Sequence, residues 1–327
     1  MAGRFRWTPL LRLLLGLALV ALLVRSVGLQ NLRSALAPLN THPGWIAAAL
    51  ALTYAALLAG VLRWHILLRT LGLPTPFSRT YRGFFIGQFF NAFLFGACGG
   101  DLARAVVAAR DHPGKRTEAV TSVFLDRAIG LVVTLLAGCA LLLPRLRDFA
   151  AFDATRPALL LMAAFLLAAV AFLSLFFTRD LFERLPFLQR LQHRGRLGPL
   201  LRRAYDAIFL FRQNARHLLG PGLLSLANLL LLAAASAALA RALELDLPFR
   251  DLLAVFPVIT VLAAIPLTPG SLGVRETLYI QLLAPFGIPP GPALMLSLLG
   301  YLAASFWSLY GALFLLRQPQ SQPVNLG

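Results

Sequence analysis

The sequence predicts an all-α polytopic membrane protein with about six full transmembrane helices and two broken, re-entrant helical hairpins arranged as an inverted repeat. Three observations carry that expectation. Hydrophobic residues make up 59% of the 327, only 13% are charged, and the mean hydropathy is +0.76, whereas a soluble domain is nearer half apolar and a quarter charged. Several apolar runs approach the roughly 20 residues that a span needs. Two further apolar runs are interrupted by Gly or Pro and followed at once by charged pairs.

In chain order, spans are expected at 13–24 (extended backwards past Arg12), 45–62, 128–143, 157–178 and 218–240. A sixth begins near 289 within the uncharged stretch 277–316. The first run follows Arg4 and Arg6 as a signal peptide would, but LVRSV replaces a small-residue cleavage site, so an uncleaved span is expected. Residues 1–327 read as a single integral membrane domain. Within it, 83–118 and 249–287 are the broken hairpins, and 178–217 is an Arg-rich amphipathic segment. That segment suits helices lying on an anionic inner leaflet, and equally a loop that only fixes topology.

If each interrupted run enters partway and returns, the N-terminus, 63–82, 110–116, 179–216 and Arg317 share one face. Most of the 30 basic residues then lie there, and the positive-inside rule makes that face, with both termini, the cytoplasmic side of the cell membrane. The net charge of +17 is thus read through its distribution and does not indicate nucleic acid. No cofactor or metal is expected. Cys98 and Cys139 lie in apolar surroundings without a CxxC, the five histidines lack ligand spacing, and there is no Walker loop, GxGxxG or GxSxG.

The two interrupted segments, GQFFNAFLFGACGGDLARAVVAAR and VLAAIPLTPGSLGVRETLYIQLL, follow one plan: an apolar half-helix, a Gly-rich break, a charged pair, and a return. Three spans separate them, so they would enter from opposite faces, although identity between the halves is negligible. Irregular backbone at membrane depth survives only beside protein or a water-filled cavity. Gly permits the turn and a close approach, Pro266 and Pro269 end the preceding half-helix, and free amides opening the next helix form an anion site. Asp101 and Arg104, three residues apart, are expected to pair on one helix face. Arg275 and Glu276 are adjacent and are expected to face separate partners. FLDRAIG supplies a third pair, Asp126 and Arg127, roughly 12 Å into its span at 1.5 Å per residue. A charge at the centre of a lone span costs about 2.5–3.5 kcal/mol. These groups are therefore expected to face one interior polar cavity, the alternative being charge pairs that merely lock helices together.

NAFLFGACGGDLARA, then FLDRAIGL, then IPLTPGSLGVRE together resemble the lysylphosphatidylglycerol synthase transmembrane family, also described as flippase-like domain proteins, over approximately residues 10–317. The resemblance implies movement of a lipid between leaflets. It also implies that the fused aminoacyl transferase of bifunctional members is missing from a chain ending at Gly327, as in stand-alone members that look like lipid or polyprenyl-linked sugar translocases. Carried over by position, the substrate-binding residues are Asn91, Gly99, Gly100, Asp101 and Arg104; Asp126 and Arg127, where the family more often shows Glu-Arg; and Pro269, Gly270, Gly273, Arg275 and Glu276. Phe95 stands where the family usually has Pro, which leaves the first kink to Gly96, Gly99 and Gly100.

Three functions fit these residues. The first is a lipid flippase or scramblase without an ATPase, in which Arg104, Arg127 and Arg275 bind the phosphate of an anionic phospholipid or polyprenyl-phosphate lipid. The second is a non-transporting membrane partner that positions a glycosyltransferase or lipid-synthesis enzyme. The third is a membrane enzyme that uses its carboxylates as general bases on a lipid.

Overall fold

The computed structural model describes residues 41–94, 96–178, 216–265 and 271–316, together with Arg25 and Gln30. The described residues form an all-α bundle of α1 (Pro43–Thr70), α2 (Phe77–Phe89), α3 (Gly96–Asp111), α4 (Arg116–Leu142), the short α5 (Leu146–Ala150), α6 (Arg156–Thr178), α7 (Arg216–Ala242), α8 (Phe249–Ala263), α9 (Val274–Leu283) and α10 (Pro290–Leu316). Five helical stretches are long and apolar enough to cross a membrane: Pro43–Thr70, Pro113–Ala150, Asp153–Ala171, Arg216–Ala242 and Pro290–Leu316. They coincide with five of the six expected spans. The run at 13–24, the interior of the Arg-rich segment, Pro269 and Gly270 lie outside the described residues.

The first interrupted run is a helical hairpin. α2 passes into a π-helical turn at Phe90–Leu94, and α3 returns beside it. Gly83 faces Val107, while Gly87 faces Arg104 and the Gly100 carbonyl, which fixes an antiparallel pair. A Cβ on Gly100 would overlap both Asn91 Oδ1 and the Gly87 carbonyl. Without one, the Gly100 amide donates to Asn91 Oδ1 at 3.0 Å, so a side chain satisfies a backbone donor where the helices meet. In the second hairpin α8 packs against α9. Gly273, at φ +84, caps α9 in a conformation that a side chain would strain. Ser271 donates across the tip to the Ala263 carbonyl.

Because α1, α4, α6, α7 and α10 traverse the bundle alternately, the first hairpin enters from one end and the second from the other. The two halves then match in detail. α1 ends in RTLGLPTPF and α7 in RALELDLPF, and both close with positive φ at the equivalent position, Gly72 and Glu244. Each has the bond that seals such a terminus, from the Leu73 amide to the Leu68 carbonyl and from the Leu245 amide to the Ala240 carbonyl. Identity between the halves is negligible overall, yet these turns match at an offset of 172 residues (72 to 244, 77 to 249).

The packing follows the same offset. α1 and α7 lie antiparallel, and Asn228 Nδ2 donates to the Ala56 carbonyl at 2.6 Å, joining two equivalent positions (56 to 228). Each hairpin docks on the last helix of the other half. Gly311 on α10 admits the backbone of Phe85 on α2, and Gly138 on α4 admits Pro257 on α8 (85 to 257). The fold is an inverted repeat with exchanged hairpins.

These contacts make a stability test. Gly100→Ala and Gly311→Ala should each lower the thermal unfolding midpoint of the detergent-solubilised protein, by overpacking worth about 1–3 kcal/mol. Gly114→Ala and Gly222→Ala, where an added Cβ meets nothing within 4 Å, should leave it unchanged or raise it.

Candidate functional site

The site begins at Asp126, one-third of the way along α4 and fully buried. Its carboxylate takes Arg63 Nε of α1 at 2.6 Å and Arg104 Nη2 of α3 at 2.8 Å. Arg104 is also buried, its guanidinium lying 4.3 Å from the Trp64 ring centroid and 4.9 Å from that of Phe84. Such stacking is worth more where water is excluded. Trp64 is itself fixed by donating to Ser122 Oγ at 3.1 Å. The expected pairing of Asp101 with Arg104 is present but long, 3.8 Å, and Asp101 lies equally far from Arg127. Arg104 thus belongs first to Asp126, on the neighbouring helix.

Arg63 is the residue that sequence reasoning missed. The apolar run was cut at Leu62 and Arg63 assigned to a cytoplasmic loop, but α1 continues to Thr70. That places Arg63 about 10 Å inside the helix end. The available signal was Ile66, Leu67 and Leu68, which resume the apolar run after Trp64 and His65.

The second cluster sits at the start of α9. Glu276 is wholly buried; its Oε2 accepts the Gly273 amide at 2.6 Å, and its Oε1 accepts both Arg275 Nη2 at 2.6 Å and Ser297 Oγ at 3.0 Å. The expectation that Arg275 and Glu276 face separate partners is therefore corrected. The long guanidinium folds back so that its Nε reaches Ser297 Oγ at 2.9 Å and its Nη2 reaches its own neighbour. Arg275 also lies 5.0 Å from the Tyr301 ring centroid, and Tyr301 donates to the Ala92 carbonyl in the first hairpin's π turn at 2.7 Å. The two hairpin tips are connected through this one tyrosine.

Between the clusters lies an open cavity of about 340 Å³ walled by α1, α4, α7, α8 and α9. Arg63, Arg127 and Arg275 line it, and Ser225, Asn228 and Thr260 add neutral polar groups. Of the described residues expected to bind substrate, only Arg127 and Arg275 line this wall. Asp101, Arg104, Asp126, Glu276, Asn91 and Gly100 stand behind it or in the hairpin, Gly99 is half-buried on α3, and Gly273 caps α9. Among the described residues no carboxylate lines the cavity. Among the described residues no group of three His, Cys, Asp or Glu could hold a metal.

A second cavity, of about 490 Å³, is lined by Leu299, Leu302, Ala303 and Phe306. These are the positions equivalent, at the same offset, to Arg127, Gly130, Leu131 and Thr134 of the first. The two cavities share these four positions on the last helix of each half and differ in their other walls, and among the described residues that line the second none is charged.

With this geometry in hand, the chain can be placed among known proteins. The family model described as lysylphosphatidylglycerol synthase TM region matches residues 10–311, and the chain belongs to that family. No curated protein matches it.

Removing the carboxylate at the centre of the first cluster should be costly. Asp126→Leu leaves Arg63 without a carboxylate and Arg104 with only Asp101 at 3.8 Å, and loss of one partner from a buried ion pair costs about 3–5 kcal/mol. The thermal unfolding midpoint in detergent should fall accordingly. Asp153→Asn, which breaks the exposed pair with Arg156, should leave it unmoved.

Proposed function

We propose that this member of the lysylphosphatidylglycerol synthase transmembrane family moves a phosphate-bearing lipid, a phospholipid or polyprenyl-phosphate lipid, between the leaflets of the cell membrane. The head group occupies the polar cavity while the tails stay in lipid. The observation that carries this reading is the convergence of three guanidinium groups, Arg63, Arg127 and Arg275, on one cavity. A fold that can fill the same position with Leu299 has instead placed Arg127 beside Arg63 and Arg275, and charge at membrane depth is retained where it acts on a substrate or ion. Guanidinium groups offer planar, paired donors matched to phosphate.

The orientation follows from charge. Among the described residues, the face where α1 ends and α7 begins carries Arg69, Arg79, Arg82, Arg110, Lys115, Arg116 and Arg216 against Asp111 and Glu118. The opposite face balances Arg145, Arg147, Arg156, Arg241 and Arg250 with Asp148, Asp153, Glu244, Asp246 and Asp251. The excess of basic residues supports a cytoplasmic assignment for the first face.

Reconstitution tests the reading. Purified protein in liposomes carrying labelled phosphatidylglycerol or polyprenyl phosphate should accelerate leaflet exchange. Arg127→Ala should slow it by roughly tenfold or more, the loss of one charge-assisted hydrogen bond to phosphate. Leu299→Ala, in the apolar hollow, should leave the rate unchanged. Absence of exchange for either lipid with wild-type protein would sink the transport reading and favour a partner that only positions another enzyme.

A further inference from the structure

Resting on the reading of this cavity as an anion site, we infer that Tyr301 is a positioning residue. It makes the presentation of Arg275 to the cavity conditional on the tip of the first hairpin being docked. Tyr301 does not line the cavity itself. It acts through the two groups it touches, one from each half. Its hydroxyl donates to the Ala92 carbonyl at 2.7 Å, in the π turn Phe90–Leu94 that follows α2. Its ring centroid lies 5.0 Å from the Arg275 guanidinium, at the start of α9.

Rigidity makes the link. A tyrosine side chain turns about two torsions only, so its hydroxyl and its ring face cannot be set independently. A phenol hydroxyl turned inwards needs a partner, and the partner here is a carbonyl of a turn that departs from regular α-helical bonding. Anchoring that one atom sets the ring plane, and the ring plane closes one face of the guanidinium. Ser297, one helical turn earlier on the same face of α10, accepts Arg275 Nε at 2.9 Å. α10 therefore holds the guanidinium at its edge and at its face, while Glu276 takes Nη2. Neither hydrogen bond engages Nη1. The first half has Leu125 and Ile129 at the positions equivalent to Ser297 and Tyr301, so this grip belongs to the second half. Withdrawal of the tip from α10 removes the acceptor, frees the ring to turn and takes the face contact from Arg275. The coupling is reciprocal: an anion held by Arg275 favours the docked tip.

Local hydrogen exchange of the full-length protein in detergent tests the link without a ligand. Tyr301→Phe keeps the ring and removes the tether. Amides of the π turn should exchange about three- to tenfold faster, the worth of one hydrogen bond. Amides at 273–277, where Gly273 donates to Glu276, should follow by about twofold or more. Ser308→Ala, which removes a hydroxyl bonded to the Ala304 carbonyl within α10, should leave both tips as in the wild type. Unchanged exchange at 273–277 overturns the inference whatever the π turn does. Faster exchange throughout, α1 and α7 included, overturns it as well, because it marks a general loss of packing. Retention of phosphatidylglycerol, read by native mass spectrometry, gives a second measure. Tyr301→Phe should lower it about threefold and Tyr301→Leu, which removes the ring too, to the level of Arg275→Gln. In the Arg275→Gln background Tyr301→Phe should change nothing, since it acts through that guanidinium. Equal losses in both backgrounds overturn the inference. If the wild type retains no phosphatidylglycerol, linked hydrogen exchange at the two tips decides alone and upholds it. The same linked exchange without leaflet exchange of phosphatidylglycerol or polyprenyl phosphate in phosphatidylcholine vesicles upholds it and removes the transport reading.

Discussion

The structure depends on one carboxylate. Asp126 is 1% exposed and holds Arg63 from α1 and Arg104 from α3 at once, so three separate segments of the first half are located by a single group. In lipid such an arrangement is all or nothing. An ion pair buried away from water stabilises only when both partners and their remaining hydrogen bonds are in place. The hairpin supplies those conditions: Gly87 and Gly100 let α3 come close enough to α2 for Arg104 to reach inward, and Trp64 and Phe84 close over its guanidinium. Because two arginines share one carboxylate, the cluster keeps an excess positive charge, and Arg63 presents it to the cavity.

The spans were legible because length and hydropathy are one-dimensional signals, and the hairpins because Gly-rich breaks followed by charges are rare in apolar runs. What was lost required the third dimension. Arg63 looked like the end of a span because a charge interrupts hydropathy, whereas inside the bundle Asp126 compensates it. Arg275 and Glu276 were assigned to different directions because neighbouring Cβ atoms diverge on a helix, yet a guanidinium is long enough to fold back and share Ser297 with its neighbour. The repeat was sought at the charged breaks, where the halves have diverged. It survives in the turns at 69–77 and 241–249, where backbone geometry constrains the residues more tightly than chemistry does.

The divergence of the halves is as informative as their likeness. At the offset of 172, Arg104 in the first return helix corresponds to Glu276 in the second. Both are buried, and each is neutralised from its own surroundings: Arg104 by Asp126, Glu276 by Arg275 with Ser297 and the Gly273 amide. The repeat therefore fixes where a polar group is buried but not its sign. The same freedom appears in the two hollows, where Arg127 and Thr134 stand at positions that the other half fills with Leu299 and Phe306.

The exchange of hairpins gives this cavity a property that a pocket within one half would lack. Its walls come from both halves: Arg63 and Arg127 from the first, Ser225, Asn228, Thr260 and Arg275 from the second. A phosphate held between Arg127 and Arg275 would bridge the two. Its binding energy then depends on the relative position of the halves, and a ligand shifts a conformational equilibrium only through such a difference. Each half is also committed to the other, through Gly311 against Phe85 and Gly138 against Pro257. Relative movement would accordingly carry a hairpin of one half together with the last helix of the other. Asp126 ties α4 to α1 and α3 as well, so any such movement is limited to what the Arg63 and Arg104 ion pairs tolerate.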